Sequence, residues 1–268
     1  MFKFVFLSSG LFPFIKEIIS KKFLIIELTK RDFYSKYINS LFGMAWAFLE
    51  PMFFVLILWL VFGFGLKSGI DISYLVTGII PFNIFRTTLI EGTGSIRSYS
   101  FLVKKVDFKL SILAIIKLLS GLMLFALLYI IIFTVLTIKG IYPSLYWLQL
   151  FYYTGAMCFF LLGLIWLTSA IELFIPDIKN VIGIVMQFLF YLTPIFWKTD
   201  NLPPTFRYIA KFNPMFYLIN GFRETFIYHK WFWESPYELL YFSGVSLFFL
   251  FTGIYVFKKL RPHFADVI

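Results

Sequence analysis

The 268-residue sequence contains few of the side chains from which enzyme and metal sites are usually built. Cys158 is the single cysteine, and His229 and His263 are the only histidines. One cysteine excludes a disulfide within the chain, and two histidines so far apart do not predict a metal site. No Gly-x-x-x-x-Gly-Lys-Ser/Thr motif is present, so the usual nucleotide-binding loop is missing. We therefore expect no catalytic residue, no metal and no bound cofactor in this chain.

Charged side chains are also scarce. They make up 14% of the sequence, whereas 60% of it is hydrophobic, and a soluble domain carries about 25% charged residues. Long apolar runs separate the charges, and about 20 apolar residues are enough to cross the hydrocarbon of a bilayer. The runs are continuous rather than alternating, which favours helices over the strands of a barrel. The composition therefore predicts an all-α integral membrane protein.

Six runs have the length of a transmembrane helix. They cover residues 45–66, 72–91, 112–138, 144–171, 180–197 and 239–257. We expect a transmembrane domain over residues 45–258, a cytoplasmic segment at 1–44 and a cytoplasmic tail at 259–268.

The distribution of lysine and arginine predicts the orientation of these runs. Most of these residues lie before the first run, after the second and fourth, and in the tail, whereas the first and third loops hold only Lys67 and Lys139. Because positive charge collects on the cytoplasmic side, we expect both termini to be cytoplasmic. The net charge of +10 is explained by this topology and by contact with anionic lipids, and nucleic-acid binding is not expected.

An amphipathic pattern precedes the first run. Ile15, Ile18 and Ile19 fall at helical spacing with charged residues between them, which predicts an interface helix on the cytoplasmic membrane surface. Two interpretations stay open: an anchor that stabilises the topology, and a contact surface for a cytoplasmic partner.

Three segments resemble a known family. "LTKRDFYSKYINSLFGMAWAFLEP" contains Arg31-Asp32, two tyrosines, Ser40 and Gly43, a tryptophan and Glu50-Pro51, in the order found in permease subunits of ABC type-2 exporters that move polysaccharides. "KFNPMFYLINGFRETF" and "YLTPIFW" are similar to later segments of the same family. The resemblance covers roughly residues 25 to 258 and includes O-antigen, teichoic-acid and capsule exporters.

The resemblance implies a transport subunit that is not itself an enzyme and lies in the inner (cytoplasmic) membrane. It implies a homodimer joined to two cytoplasmic ABC ATPase subunits, which would bind the ATP. The substrate would be a long glycan on an undecaprenyl-pyrophosphate or related lipid. Two alternatives stay open: an ABC type-2 permease for a small molecule or drug, and a proton-coupled flippase for lipid-linked sugars.

Candidate site residues follow from the resemblance and from side-chain chemistry. Aromatic rings can stack on sugars, although interfacial aromatic belts also explain them; the candidates are Tyr34, Tyr37, Phe42, Trp46 and Tyr191. Cations suit a pyrophosphate, although topology also explains them; the candidates are Arg31, Arg86, Arg97, Lys104 and Lys105. The basic residues expected to contact the ATPase are Lys16, Lys21, Lys22, Arg97, Lys104 and Lys105.

The segment 198–230 does not have the composition of a free loop. Asp200 or Asn201 suits a cap, helices are expected over Thr205–Lys211 and Met215–Ile227, and the second is about 20 Å long, too short to span the membrane. We predict two re-entrant short helices between spans five and six that form an external gate; the alternative is a hairpin lying flat on the outer surface. The gate candidates are Pro203, Pro204, Asn213, Pro214, Arg223 and Glu224.

Overall fold

The computed structural model describes residue 16 and residues 18–38, 40–66, 68–103, 108–199 and 203–267. These residues are mainly helical, and no β-strand occurs among them. The α-helices of this part of the chain are α1 (Lys22–Ser35), α2 (Trp46–Leu58), α3 (Ile72–Thr93), α4 (Ser95–Ser98), α5 (Ser100–Val103), α6 (Ile112–Ile138), α7 (Gln149–Glu172), α8 (Ile178–Leu192), α9 (Pro204–Lys211), α10 (Pro214–Arg223), α11 (Pro236–Leu260) and α12 (Phe264–Val267).

Shorter helical segments join or extend these helices. Wider π-helical turns continue α2 over Trp59–Gly65 and α10 over Glu224–Tyr228. Tighter 3₁₀ turns occur at Gly43–Ala45, Leu145–Leu148, Phe232–Glu234 and Arg261–His263.

Four helical stretches are long and apolar enough to cross a membrane. They are Gly43–Gly65, Ile112–Ile138, Leu145–Glu172 and Pro236–Val267. They coincide with the first, third, fourth and sixth runs of the sequence prediction, so an all-helical membrane protein is confirmed.

The fifth run is helical over a shorter range than its sequence predicts. The predicted span at 180–197 is wrong beyond Leu192, because α8 ends there and Thr193 adopts an extended conformation with φ −85° and ψ 139°. Pro194 explains the end: it has no N–H to donate, and the residue before a proline avoids the helical region. The 15 residues of α8 span about 22 Å.

Helix α3 lies at the centre of the bundle. It contacts α2, α6, α7, α8 and α10, and 16 of its 22 residues are buried. Its length is about 33 Å. It is less apolar than the four stretches above because its neighbours are protein side chains over most of its surface, and a helix surrounded by protein does not need a lipid-compatible exterior.

Helices α7 and α11 cross at two glycines, Gly163 and Gly253. A Cβ atom built on Gly163 would lie 2.6 Å from the backbone nitrogen of Leu250, and one built on Gly253 would collide with the carbonyl oxygen of Gly163. Small residues allow membrane helices to approach in this way and to gain van der Waals contact. The crossing therefore depends on the absence of side chains at both positions.

A methyl group at this crossing should destabilise the protein. We expect Gly163→Ala to lower the free energy of unfolding by about 1–3 kcal/mol, because the backbone that it would touch has little room to move. Gly155→Ala on the same helix is the matched control, since nothing lies within 4 Å of that position. Unfolding of the detergent-solubilised variants, followed by tryptophan fluorescence, measures the difference; equal stability of the two variants would contradict the close approach.

Candidate functional site

Helix α1 packs on the bundle through one stripe of residues. The buried positions are Ile25, Leu28, Thr29, Asp32 and Phe33, which repeat at helical spacing, and they face α6. The predicted pattern lay earlier in the chain: Ile15 falls outside the described residues, Ile18 packs against the core and Ile19 is 61% exposed. The apolar pattern of the sequence does not indicate the later stripe, because two of its five members are polar.

Asp32 forms a buried ion pair with Lys117 at the start of α6. Lys117 Nζ lies 2.5 Å from Asp32 Oδ1, and the two side chains are only 9% and 6% exposed. The Tyr99 hydroxyl donates to the same oxygen at 3.1 Å, and the ammonium lies 5.7 Å from the centre of the Tyr99 ring. Burial and the Asp32 carboxylate raise the pKa of Tyr99, so its phenol keeps the proton that it donates. These contacts fasten α1 to the bundle.

Two further ion pairs lie at the same end of the bundle, which we call the α1 end. Lys36 Nζ, just after α1, lies 2.5 Å from Glu91 Oε2 near the end of α3. Arg97 in α4 pairs with Glu172 at 3.1 Å and also donates to the carbonyl oxygens of Glu172 and Leu173 at the end of α7. Arg97 thus joins α4 to α7, and most of its donors are engaged in the fold.

The predicted aromatic residues occupy two separate places. At the α1 end, Phe33 contacts Tyr34 and Tyr37, and Phe42 meets Trp46 edge to face at 5.5 Å between ring centres. Of these, Tyr34, Phe42 and Trp46 are exposed. Their rings are therefore available at the entrance to α2.

Tyr191 lies further along, near the end of α8. It is 59% exposed and contacts Phe190 and Phe196. Phe190 also contacts Phe54 of α2, which is eight residues beyond Trp46, or about 12 Å along the helix. Helices α2 and α8 therefore touch through these two rings, and Tyr191 is displaced along the bundle from the other four candidates.

An exposed face of α8 carries polar residues that the motifs in the sequence do not indicate. Asn180, Ile184, Gln187 and Tyr191 are all exposed and recur at helical spacing. Gln187 is the informative member, because an amide on the exposed face of an apolar helix is costly in contact with lipid.

The two predicted short helices between α8 and α11 are present. Pro204 occupies the first position of α9, and Asn213 caps α10 by accepting a hydrogen bond from the Met215 backbone N–H at 3.0 Å. The Asn213 amide also donates to the Thr193 hydroxyl at 2.8 Å. Eight of the ten residues of α10 are buried, and α10 packs on α3, α7 and α11. A hairpin lying flat on a surface does not describe α10, which is embedded in the bundle.

Arg223 is fully buried at the end of α10. Its guanidinium lies 3.5 Å from the centre of the Tyr74 ring and donates to the carbonyl oxygens of Tyr74 at 3.4 Å and Ile195 at 3.1 Å. A Cβ atom at Gly78 would approach the guanidinium to 2.6 Å, so the glycine provides its space. Ring and carbonyl dipoles compensate the charge within the protein.

Glu224, the next residue, lines a cavity of about 280 Å³ with polar walls. The other lining residues are Tyr74, Lys198, Thr199, Asn220, Tyr228 and Lys230. Glu224 and Arg223 are thus adjacent in sequence and lie in different surroundings.

The remaining candidates are dispersed. Lys16, Lys22 and Arg31 are exposed and Lys21 is half-buried; Arg86 is exposed on α3; and Pro203 precedes α9. Lys104, Lys105 and the proposed caps Asp200 and Asn201 lie outside the described residues. Among the residues that the structure does describe, no three metal-ligating side chains gather.

Long apolar helices around a protected central helix define the chain as a multi-pass membrane protein. The family described as "ABC-2 type transporter" matches residues 24–227, and the chain belongs to this family.

Several curated proteins are similar over nearly the whole chain. The O-antigen export system permease protein RfbA of Klebsiella pneumoniae is 26% identical over 248 residues, which cover 91% of this chain and 95% of the relative. A Myxococcus xanthus protein of the same name is 22% identical over 258 residues, or 95% and 98% of the two chains. The polysialic acid transport protein KpsM of Escherichia coli is 22% identical over 243 residues, or 89% and 93%.

Breaking the buried ion pair should release α1. We expect Lys117→Met to lower the free energy of unfolding by about 3–5 kcal/mol, because the Asp32 carboxylate stays buried without its partner. Lys139→Met is the matched control: Lys139 pairs with Asp71 at 2.6 Å, but both side chains are more than 40% exposed, and such a pair contributes about 0–1 kcal/mol.

Denaturant unfolding and the rate of trypsin cleavage within α1 measure the two variants. Cleavage should accelerate only in Lys117→Met. Equal behaviour of the two variants would show that the buried pair does not hold α1.

Proposed function

We propose that this chain is the membrane-spanning subunit of an ATP-driven exporter that moves a lipid-linked polysaccharide out of the cytoplasm. Membership of the ABC-2 type transporter family, together with three nearly full-length relatives named as O-antigen or polysialic acid transport proteins, supports the proposal. Transport, and not catalysis, is the role of this subunit. The ATP is bound by a separate ATPase.

The proposed topology has six spans with both termini in the cytoplasm. Helices α3 and α8 join the four apolar stretches as the second and fifth spans. The length of α3 and its burial support this assignment, because a central span does not contact lipid over most of its surface. The α1 end of the bundle is then the cytoplasmic end, which agrees with the excess of lysine and arginine in the segments there.

The substrate path lies along the exposed surfaces of α2 and α8 and is completed by a second copy of the chain. Two features of these helices support this placement. The stretch that contains α2 is only 11% buried within one copy, and α8 exposes Asn180 and Gln187. A glycan needs a wide path with hydrogen-bonding groups and ring faces, which these surfaces offer through Trp46 and Tyr191.

The α9–α10 pair closes this path on the outer side. Helix α10 is embedded against α3, while most of α9 is exposed. The bond between Asn213 and Thr193 fastens the pair to the end of α8. A re-entrant element at membrane depth requires protein or water around its irregular backbone, and the burial of α10 meets that requirement.

The ATPase subunits bind at the cytoplasmic end, on α1 and on the segment around α4 and α5. These are the basic, non-spanning segments on that side. The ion pairs of Asp32, Lys36 and Arg97 connect them to α3, α6 and α7. Movement of the ATPase would reach three spans through these contacts.

Loss of the chain should trap polysaccharide inside the cell. We expect deletion of its gene to abolish the surface polymer and to leave full-length lipid-linked glycan in the cytoplasmic leaflet, because synthesis continues while export stops. Immunoblots of intact and lysed cells measure the two pools, and the wild-type chain should restore the surface pool.

The alternatives give other results. Unchanged surface polymer with altered resistance to a toxic compound would indicate a small-molecule permease. Export in vesicles that survives inactivation of the ATPase and stops with an uncoupler would indicate a proton-coupled flippase. Either result would overturn the proposal.

The rings at the entrance should matter for export rather than for folding. We expect the double variant Tyr37→Ala and Trp46→Ala to reduce the export rate at least several-fold, since ring stacking contributes about 1–3 kcal/mol per ring by analogy with bases. Basal ATP hydrolysis should change little.

Phe248→Ala on α11 is the control, because Phe248 is an exposed ring on a different helix. Normal export by the double variant would leave Tyr37 and Trp46 as interfacial anchors. A loss of export shared by Phe248→Ala would show a general effect of removing exposed rings.

A further inference from the structure

Helix α3 has one exposed stripe, and the stripe is polar. From Ser73 to Thr93 the residues that are not buried are Asn83, Arg86, Thr87, Ile90 and Glu91. The last four lie three, four, seven and eight positions after Asn83, so all five share one face of the helix. Four of the five are polar or charged, although a face that contacts lipid is apolar.

Snorkelling does not explain this stripe. A single long side chain can carry its charge to the membrane surface, and Arg86 lies seven residues, about 10 Å, from the end of α3. Asn83, however, is short and lies almost one further turn into the bundle. Glu91 pairs with Lys36 at the α1 end, and Arg86 forms no ion pair with any residue that the structure describes. An amide and a cation without an ion-pair partner among the described residues require polar surroundings at this depth, which hydrocarbon does not provide.

The stripe is open at one end and closed at the other. Every residue from Ser73 to Phe82 is buried. At the boundary, Phe82 contacts Phe190 of α8 at 5.4 Å, and Phe190 contacts Phe54 of α2 at 5.7 Å. These three rings make a continuous contact from α3 through α8 to α2, at about the depth of Asn83. The neighbouring helices also expose polar side chains, Glu50 on α2 and Gln187 on α8.

We propose that the stripe lines a water-filled vestibule that opens at the α1 end and stops where the buried part of α3 begins at Phe82, and that Arg86 binds an anionic group of the substrate there. The ligand is a phosphate or carboxylate carried by the glycan or by its lipid. Both have the paired oxygens that a guanidinium fork recognises, and the Asn83 amide is one turn away as a second donor. This inference rests on the proposed function and assigns to Arg86 a role in selecting the substrate.

Thiol labelling tests the vestibule without any transport. Thr87→Cys is made in a Cys158→Ala background and treated in inside-out vesicles with membrane-impermeant methanethiosulfonates, one carrying a sulfonate and one carrying a trimethylammonium. Both reagents should label position 87, and the sulfonate should react faster. Phe248→Cys is the control, since that position is exposed on an apolar face of α11 and should stay unlabelled. A Thr87→Cys variant that is folded but unreactive from either side overturns the vestibule.

The charge of Arg86 is tested in the same background. Arg86→Gln should reduce the ratio of the sulfonate labelling rate to the trimethylammonium labelling rate by about tenfold. A charged cleft raises the local concentration of oppositely charged ions by about tenfold or more, and this variant removes the charge. Arg86→Lys should preserve the ratio, and Lys259→Gln controls for the loss of one positive charge elsewhere. An unchanged ratio in Arg86→Gln overturns the anion site, provided that the variant elutes as a monodisperse species in detergent.

The ligand class is tested by protection. Inorganic pyrophosphate should slow sulfonate labelling of Thr87→Cys if Arg86 receives a phosphate, and glucuronate should slow it if Arg86 receives a carboxylate. The absence of protection by either overturns the assignment of a ligand. Because these rates require no export, labelling as expected in a chain whose deletion leaves surface polysaccharide unchanged would overturn the proposed function alone.

Discussion

Hydrocarbon provides no partner for a charge or for an unpaired backbone group, and this constraint governs where each polar side chain lies. Asp32 and Lys117 neutralise each other near the start of α6. Arg97 satisfies both the carboxylate of Glu172 and the terminal carbonyl groups of α7. Arg223 is surrounded by a ring and carbonyl oxygens. Arg86 differs from these residues because it is exposed and forms no ion pair with any described residue. Its charge therefore has to be stabilised by groups outside the described part of the chain.

The same constraint explains why the helices differ in polarity. Four stretches are apolar over most of their length and can meet lipid, whereas α3 is enclosed by five neighbours and tolerates Ser73, Thr77 and Thr88 in its buried positions. Two of these hydroxyls have hydrogen-bond partners in the protein. Thr77 donates to the carbonyl oxygen of Ser73 in its own helix, and Ser73 donates to the Asp71 carboxylate. Enclosure thus permits polar side chains in the centre of the bundle, because protein and not lipid surrounds them there.

Much of the fold follows from local patterns in the sequence. Length and apolarity predict the long helices, and Pro204 and Asn213-Pro214 predict the beginnings of α9 and α10, because each acts within a few residues. The end of α8 at Leu192 was also encoded locally, by Pro194, but the continued apolar run through Trp197 obscured it. Contacts between distant residues were beyond such reasoning: Asp32 and Lys117 are 85 residues apart, and no periodicity indicates which helix will face α1. For the candidate site, motif resemblance pointed to the region of α1 and α2. It did not separate Arg97, which pairs with Glu172, from Arg86, which forms no ion pair with any described residue.

The burial of Arg223 has a mechanical consequence. The guanidinium fits the space above Gly78 and is held by groups on α3 and by the chain after α8. If α10 slid along α3 by one helical step, the guanidinium would face a bulkier residue than Gly78. It would also lose its hydrogen-bond partners, so such a movement is energetically costly. Tilting α3 and α10 together leaves every one of those contacts between them intact. The contacts of Arg223 therefore favour movement of α3 and α10 as one unit, because they oppose sliding of α10 along α3.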